Sequence, residues 1–181
     1  MEQETTVARQ ELKLTQAGIP HDVWLMADWL ERPELHAGYR LAVLTGLNCI
    51  DAKRRMLIER LKRSGVKVLA TAGAGRCGGA DALEGCTVAA DAVGFRPARI
   101  ISLVKEAGGY APADRPGLEV DTDGAFMSVR CLKPGRWMVR LPFAADVVNL
   151  KSGQAERTDG DALTLELDAG TTCWFRLERR R

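Results

Sequence analysis

The sequence predicts an α/β layer built on a short parallel sheet, followed by a small antiparallel β unit. Three observations carry this. Residues 39–71 read as strand, basic amphipathic helix and strand, the unit from which parallel sheets are assembled. Residues 110–117 hold two prolines and a glycine between the two halves. Beyond them the apolar period changes from helical to two. The chain has 181 residues, enough for one full domain or two small ones. The expected division is 1–110 for the α/β part and 118–181 for the β unit.

In order, residues 5–17 are good helix formers that stop at Gly18 and Pro20, so a helix is expected there. The apolar run Asp22-Val23-Trp24-Leu25-Met26 predicts a strand leading into a short turn of helix near Trp29. After Pro33 and Gly38, the run from Tyr39 to Gly46 is continuously apolar around Leu41–Leu44, the pattern of a strand covered on both faces and hence central. From Asp51 to Ser64, Leu57, Ile58 and Leu61 fall on one side and basic residues on the rest, with Asp51 as N-cap and Gly65 as stop. The basic side suits a solvated helix face better than an anionic partner. Val66 to Thr71 is the second strand. Residues 79–85 offer only a short, poor helix, and residues 97–109 a last helix closed by Gly108-Gly109.

In the β unit, Trp137, Val139 and Leu141 alternate with Arg136, Met138 and Arg140. Leu163, Leu165 and Leu167 behave likewise, as do Cys173, Phe175 and Leu177. Glycine-containing turns at Asp123-Gly124, Pro134-Gly135, Ser152-Gly153, Asp159-Gly160 and Ala169-Gly170 punctuate five or six strands at sandwich-like spacing. A unit of this size is marginal alone and is expected to pack on the first half or on a partner. Trp174 alternates with the inward residues, points the other way, and is an interface candidate.

Composition excludes several function classes. Lys plus Arg number 26 against 24 for Asp plus Glu, a net charge of +2, too small for a protein that works by neutralising phosphates, so no nucleic-acid partner is expected. No stretch is apolar enough to span a bilayer and the first residues lack a secretory layout, so the expectation is a cytoplasmic protein without a membrane partner. The five cysteines, 49, 77, 86, 131 and 173, form no C-x-x-C pair and have only two histidines for company. Neither a disulfide framework nor a metal site is indicated, and buried thiols in a reducing compartment are the simplest reading.

The chemistry-bearing candidates are few. The stretch Ala72-Gly73-Ala74-Gly75-Arg76-Cys77-Gly78-Gly79 follows a strand, where α/β proteins place binding loops. Gly73, Gly75, Arg76 and Gly78 are its ligand-binding candidates. The loop lacks the Lys-Ser or Lys-Thr of a phosphate loop, and Gly73-x-Gly75-x-x-Gly78 matches the dinucleotide fingerprint in letters only, so no cofactor is expected. Cys77, between Arg76 and glycines, is the best nucleophile candidate because a nearby cation and backbone donors favour a thiolate. Cys49 precedes a helix start and ranks below it. His21 with Asp22, and His36, could pair with Asp28 or Glu34, but isolated histidines beside loops are commonly surface residues. Among Trp24, Trp29, Trp137 and Trp174, exposed rings would suit either a protein interface or a sugar face.

The order of pieces resembles a known arrangement. Residues 17–28 (Ala-Gly-Ile-Pro-His-Asp-Val-Trp-Leu-Met-Ala-Asp), then 39–44, the basic helix and Lys67-Val68-Leu69-Ala70, are similar to a class I glutamine-amidotransferase-like domain with a flavodoxin-like sheet. The closer likeness is to the version in β-galactosidase-type glycoside hydrolases, where that domain follows the catalytic barrel and supports trimerisation. Gly135 to Pro142, Asp146 to Leu150 with Ser152-Gly153, and Leu163-Thr164-Leu165 with 169–172 resemble the β-sandwich tail of those enzymes. The resemblance spans most of residues 5–178. It implies a nucleophilic cysteine directly after the second strand, but that turn reads Ala70-Thr71-Ala72-Gly73-Ala74 and the position falls near Ala72. Both histidines precede the turn, so no imidazole base follows it. A chain of this length also has no room for a catalytic barrel of roughly 200–250 residues. The resemblance therefore implies a non-catalytic accessory or oligomerisation module, self-associating or joined to a glycoside-hydrolase-like partner. A small cysteine-dependent hydrolase or transferase using Cys77, and a carbohydrate-binding module, are the alternatives.

Overall fold

The computed structural model describes residues 2–36, 38–90 and 94–180, with the side chains of 2–6, 33 and 36 outside that description. By compactness the chain divides into two units: residues 1–12, 22–96 and 103–109 in the first, and 13–21, 97–102 and 110–181 in the second. Helices α1 (Glu2–Gln16) and α4 (Pro97–Glu106) each contribute to both.

In the first unit, β1 (Leu41–Leu44), α3 (Ala52–Arg63) and β2 (Lys67–Ala70) form the expected strand, helix and strand. β1 and β2 pair in parallel with Leu41 opposite Lys67 and Leu44 opposite Ala70. Helix α3 starts where its sequence says it should, because the Asp51 carboxylate accepts the Arg54 N–H at 2.8 Å and so satisfies a donor the first turn leaves free. Its apolar stripe, Leu57, Ile58 and Leu61, is buried with Ala42, Leu44, Val68 and Ala70 of the strands in one core.

The sheet order corrects the expectation for β1. A third parallel strand, β3 (Thr87–Val88), pairs with β2, so β2 is central and β1 lies at an edge. Side chains alternate between half-buried and buried along β1, whereas the last three of β2 are all buried. A run of apolar letters records burial on average but not the number of neighbours. The neighbour that decides the order is only two residues long.

The run from Asp22 to Leu25 is not a strand. Val23 and Leu25 are 58% and 73% exposed, and the segment feeds α2 (Met26–Glu31), which buries Trp29. What fixes the run is polar. The Trp24 Nε1–H donates to the Tyr39 hydroxyl at 2.9 Å, and that hydroxyl donates to the Asp22 carboxylate. Burial pushes the Tyr39 phenol up, and its bond to Asp22 adds to the effect.

The second unit contains eight strands among the described residues rather than five or six. They are β4 (Leu118–Thr122), β5 (Phe126–Cys131), β6 (Gly135–Arg140), β7 (Ala145–Asn149), β8 (Ala155–Glu156), β9 (Thr158–Asp159), β10 (Ala162–Leu167) and β11 (Thr172–Arg179). Two of them are only two residues long, too short to leave a period. They form a five-stranded sheet ordered β4-β5-β11-β7-β8 and a three-stranded sheet ordered β6-β10-β9. Inward residues of both sheets, among them Met127, Val129, Phe175 and Leu177 from one and Trp137, Val139, Leu163 and Leu165 from the other, share a single core. The alternation read from the sequence is thus the sandwich interior.

Two polar anchors close this unit. The hydroxyl of half-buried Tyr110 donates to the Arg140 carbonyl at 2.5 Å, and desolvation drives its pKa far upward. At the β4–β5 turn the Asp123 carboxylate accepts the Ala125 and Phe126 N–H groups at 2.9 and 2.7 Å, which holds its pKa below the usual carboxylate range.

Phe175 is fully buried between the sheets. Phe175→Ala is expected to lower unfolding free energy by about 3–5 kcal/mol, read from the denaturant midpoint. Tyr110→Phe, which keeps the ring and removes one hydrogen bond, is expected to cost about 1 kcal/mol in the same assay.

Candidate functional site

The site candidates gather at the carboxyl ends of β1 and β2. In parallel sheets these ends carry the loops that the scaffold itself does not use. β1 runs out into Thr45–Ile50 and β2 into 71–79, and three backbone hydrogen bonds join the two loops. Gly75 N–H donates to the Leu47 carbonyl at 2.8 Å, Cys77 N–H to that of Asn48 at 2.9 Å, and Ile50 N–H to that of Gly78 at 3.1 Å.

One glycine makes this approach possible, and a second lets the loop close on itself. A Cβ on Gly79 would lie 2.4 Å from the Ile50 carbonyl oxygen, and one on Gly75 would lie 2.7 Å from the Ala80 Cα. Both residues also hold positive φ, at 80° and 73°, a conformation other residues adopt at a cost. Their presence is accounted for by close packing of backbone on backbone. Of the ligand-binding candidates, Gly75 is buried and Arg76 and Gly78 are exposed, with Gly73 half-buried beside the Asn48 side chain.

The loop spends its amides internally. Ala74, Gly75, Arg76, Cys77 and Gly78 each donate their N–H to a backbone carbonyl of this unit. A phosphate cradle needs a row of such donors aimed outward. These five point to other partners.

Downstream, the 3₁₀ turn Ala80–Leu83 is tied to α3. Arg55 forks onto the Asp81 carboxylate with contacts of 2.6 and 2.7 Å, and the Lys62 ammonium donates to the Ala82 carbonyl at 3.2 Å and to that of Glu84. The Arg55 fork is the main cause holding the Asp81 carboxyl below its ordinary range. These side chains read in the sequence as a solvated basic face. Their partners lie two dozen or so residues on, where no local pattern signals them.

Cys77 and Cys49 are both exposed, which departs from the simple reading of buried thiols; Cys131 alone is fully buried, and Cys86 and Cys173 are intermediate. The loop pairing, with the Cys77 N–H on the carbonyl of Asn48, sets Cys77 beside Cys49. The Cys77 side chain is the main cause raising the Cys49 thiol above its ordinary value, desolvation adds to it, and the Arg54 guanidinium pulls the other way. Arg54 also donates to the Cys49 carbonyl at 3.2 Å and to Asp51 at 3.0 Å. The two cysteines were separate candidates in the sequence. The signal that joins them is that each follows, by a few residues, the end of one of two adjacent parallel strands.

The histidines contribute no base to this loop in the described residues. His21 Nδ1 faces the Ile19 carbonyl at 2.7 Å, and the His36 side chain lies outside the described residues. Thr71 is buried with its N–H on the Leu44 carbonyl, and Ala72, the position where the resemblance would put a nucleophile, is half-buried and carries only a methyl group. Among the described residues no group of three or more His, Cys, Asp or Glu side chains could hold a metal ion. No helix among them is long and apolar enough to cross a membrane.

Trp174 stands on the outward side of β11, 51% exposed, opposite Ser128 of β5. Phe126, opposite Arg176, is 50% exposed, and Leu150, whose N–H donates to the Trp174 carbonyl at 2.8 Å, is 48% exposed. The outer side of the five-stranded sheet therefore carries three large apolar side chains near one another, interspersed with ion pairs such as Arg130–Glu119 at 3.2 Å.

Comparison with solved structures locates this arrangement. The fold is shared with part of a β-galactosidase. The chain is similar to the β-galactosidase from Bacillus circulans sp. alkalophilus with a TM-score of 0.57 and 12% identity, over 98% of this chain and 38% of that one. It is also similar to the apo exo-carrageenase GH42 from Bacteroides ovatus, with a TM-score of 0.50 and 13% identity, over 95% of this chain and 26% of that one. The chain thus spans well under half the length of these hydrolases. No protein-family model and no curated protein sequence matches it. At such identities the likeness is one of fold.

Gly79→Ala is expected to destabilise the protein by about 1–3 kcal/mol, because both φ and the Ile50 carbonyl oppose a Cβ; thermal unfolding checks it. Asp81 gives a pH test. Its folded pKa is depressed, so its contribution is present above the ordinary carboxylate pKa, near about 3.9, and is lost as pH falls through the lower folded value. Melting temperatures of wild type and Asp81→Asn are expected to differ at neutral pH and to converge in acid.

Proposed function

We propose that this chain is a non-catalytic accessory module of the glycoside-hydrolase type, acting by self-association. In this reading residues 1–110 correspond to a truncated amidotransferase-like domain with a flavodoxin-like sheet, and residues 118–181 to the β-sandwich tail. The observation that carries it is the fold match, in which nearly the whole chain corresponds to a minor part of a β-galactosidase. A segment that is a fraction of a larger enzyme exposes surfaces its surroundings would cover, and large exposed apolar groups are the usual mark of such surfaces.

The outer sheet side with Trp174, Phe126 and Leu150 is the surface this reading assigns to association. Aromatic anchors ringed by charged pairs suit a protein interface, since the rings bury large area and the rim charges set register. Association between identical copies would most simply be isologous, each copy presenting the same patch. The reading is also supported by what occupies the turn after β2, a methyl group at Ala72, with both histidines of the sequence upstream of it.

Sedimentation velocity over a wide concentration range tests the proposal. The wild-type chain is expected to form a discrete oligomer, and Trp174→Arg to weaken its assembly at least tenfold while leaving the circular dichroism spectrum unchanged. A wild-type chain that stays monomeric at every concentration overturns self-association. Turnover of an amide or glycoside that vanishes on replacing Cys77 would overturn the non-catalytic reading.

A further inference from the structure

We propose that Cys49 and Cys77 are a reversible dithiol–disulfide pair, a redox modification site at the carboxyl edge of the parallel sheet. The two residues lie on loops held side by side by the hydrogen bonds from Gly75 to Leu47, Cys77 to Asn48 and Ile50 to Gly78. The Cys77 N–H bonds to the carbonyl of Asn48, the residue before Cys49, so the two cysteines start from neighbouring backbone positions. A disulfide joins Cα atoms roughly 4.4–6.8 Å apart and so needs backbone neighbours of this kind. Gly79 packs against the Ile50 carbonyl of the other loop, and Asp51 fixes the adjoining helix start.

Exposure completes the site. Both thiols are accessible to a small-molecule reagent, whereas Cys131 is buried and the other two are only partly accessible. The Cys77 side chain is the main cause raising the Cys49 thiol, in keeping with the neighbouring placement of the two residues. The Arg54 guanidinium, bonded to the Cys49 carbonyl, favours the thiolate form of Cys49 when that proton leaves.

The co-reactant is a low-molecular-weight disulfide of the glutathione class. One cysteine thiolate attacks a sulfur of that disulfide, forming a mixed disulfide and expelling one small thiolate, which takes up a proton. The second cysteine, deprotonated, attacks the protein-bound sulfur and expels the other small thiolate. Two protein thiols are oxidised to one disulfide, the small disulfide is reduced to two thiols, and protons balance. Excess small thiol reverses both steps.

The test uses the full chain, equilibrated with oxidised glutathione, acid-quenched and mapped by mass spectrometry without reduction. The expected product is a peptide cross-linked through Cys49 and Cys77 that disappears on adding reduced glutathione. Cys77→Ser is expected to leave a persistent glutathione adduct on Cys49, and Cys49→Ser the same adduct on Cys77, because the resolving sulfur is gone. Phenylarsine oxide, which bridges two neighbouring thiols, provides a variant-free check: one molecule per chain is expected, blocking both cysteines. Wild-type protein carrying glutathione on each cysteine separately with no cross-link, or failing to bind the arsenical across the pair, overturns the proposal. The readout is covalent and does not depend on whether the chain self-associates.

Discussion

The carboxyl edge of the parallel sheet depends on two places where no side chain is allowed. Gly79 lets the loop after β2 lie directly against Ile50 of the loop after β1, and Gly75 lets that same loop close on its own Ala80, and backbone amides find backbone carbonyls between the two loops. Everything at that edge follows from this contact: the internal use of the loop amides, the adjacency of Cys49 and Cys77, and the placement of the 3₁₀ turn whose Asp81 meets Arg55. A glycine-rich loop after a strand invites a nucleotide-binding interpretation. Here the same composition serves backbone packing, and the donors that would have held an anion are occupied.

The second unit rests on a different constraint. Its two sheets each have one apolar side, and neither could remain in water alone. Phe175, Val129 and Met127 from the larger sheet and Trp137, Val139 and Leu163 from the smaller satisfy each other. The outer side of the larger sheet is where that logic stops, because Trp174, Phe126 and Leu150 have no inner partner in the sandwich. In a fold shared with part of two much longer hydrolases, such a surface is what assembly would cover.

Legibility varied with how local the controlling interaction was. Helix α3 was readable to within a residue, since its cap, apolar stripe and stop all lie within its own segment. The inward residues of β6, β10 and β11 were readable from period alone. The run at 22–25 has the letters of a strand but forms none, because apolar letters without a partner strand make no ladder, and its anchor, Tyr39, lies beyond a helix and a turn. The order of the parallel sheet is not legible in the sequence because β3 is too short to show a pattern.

The candidate site divides the same way. The positions of Cys77 and the surrounding glycines, the methyl group at Ala72 and the absence of any histidine after the turn belong to the sequence itself, as do the element types and the inward faces, because each is set by residues adjacent along the chain. Which strand is central, which glycines are forced by close approach and which two cysteines meet were decided only by the tertiary structure. Those outcomes depend on contacts between segments separated by a helix or more, and the sequence carries no local record of them.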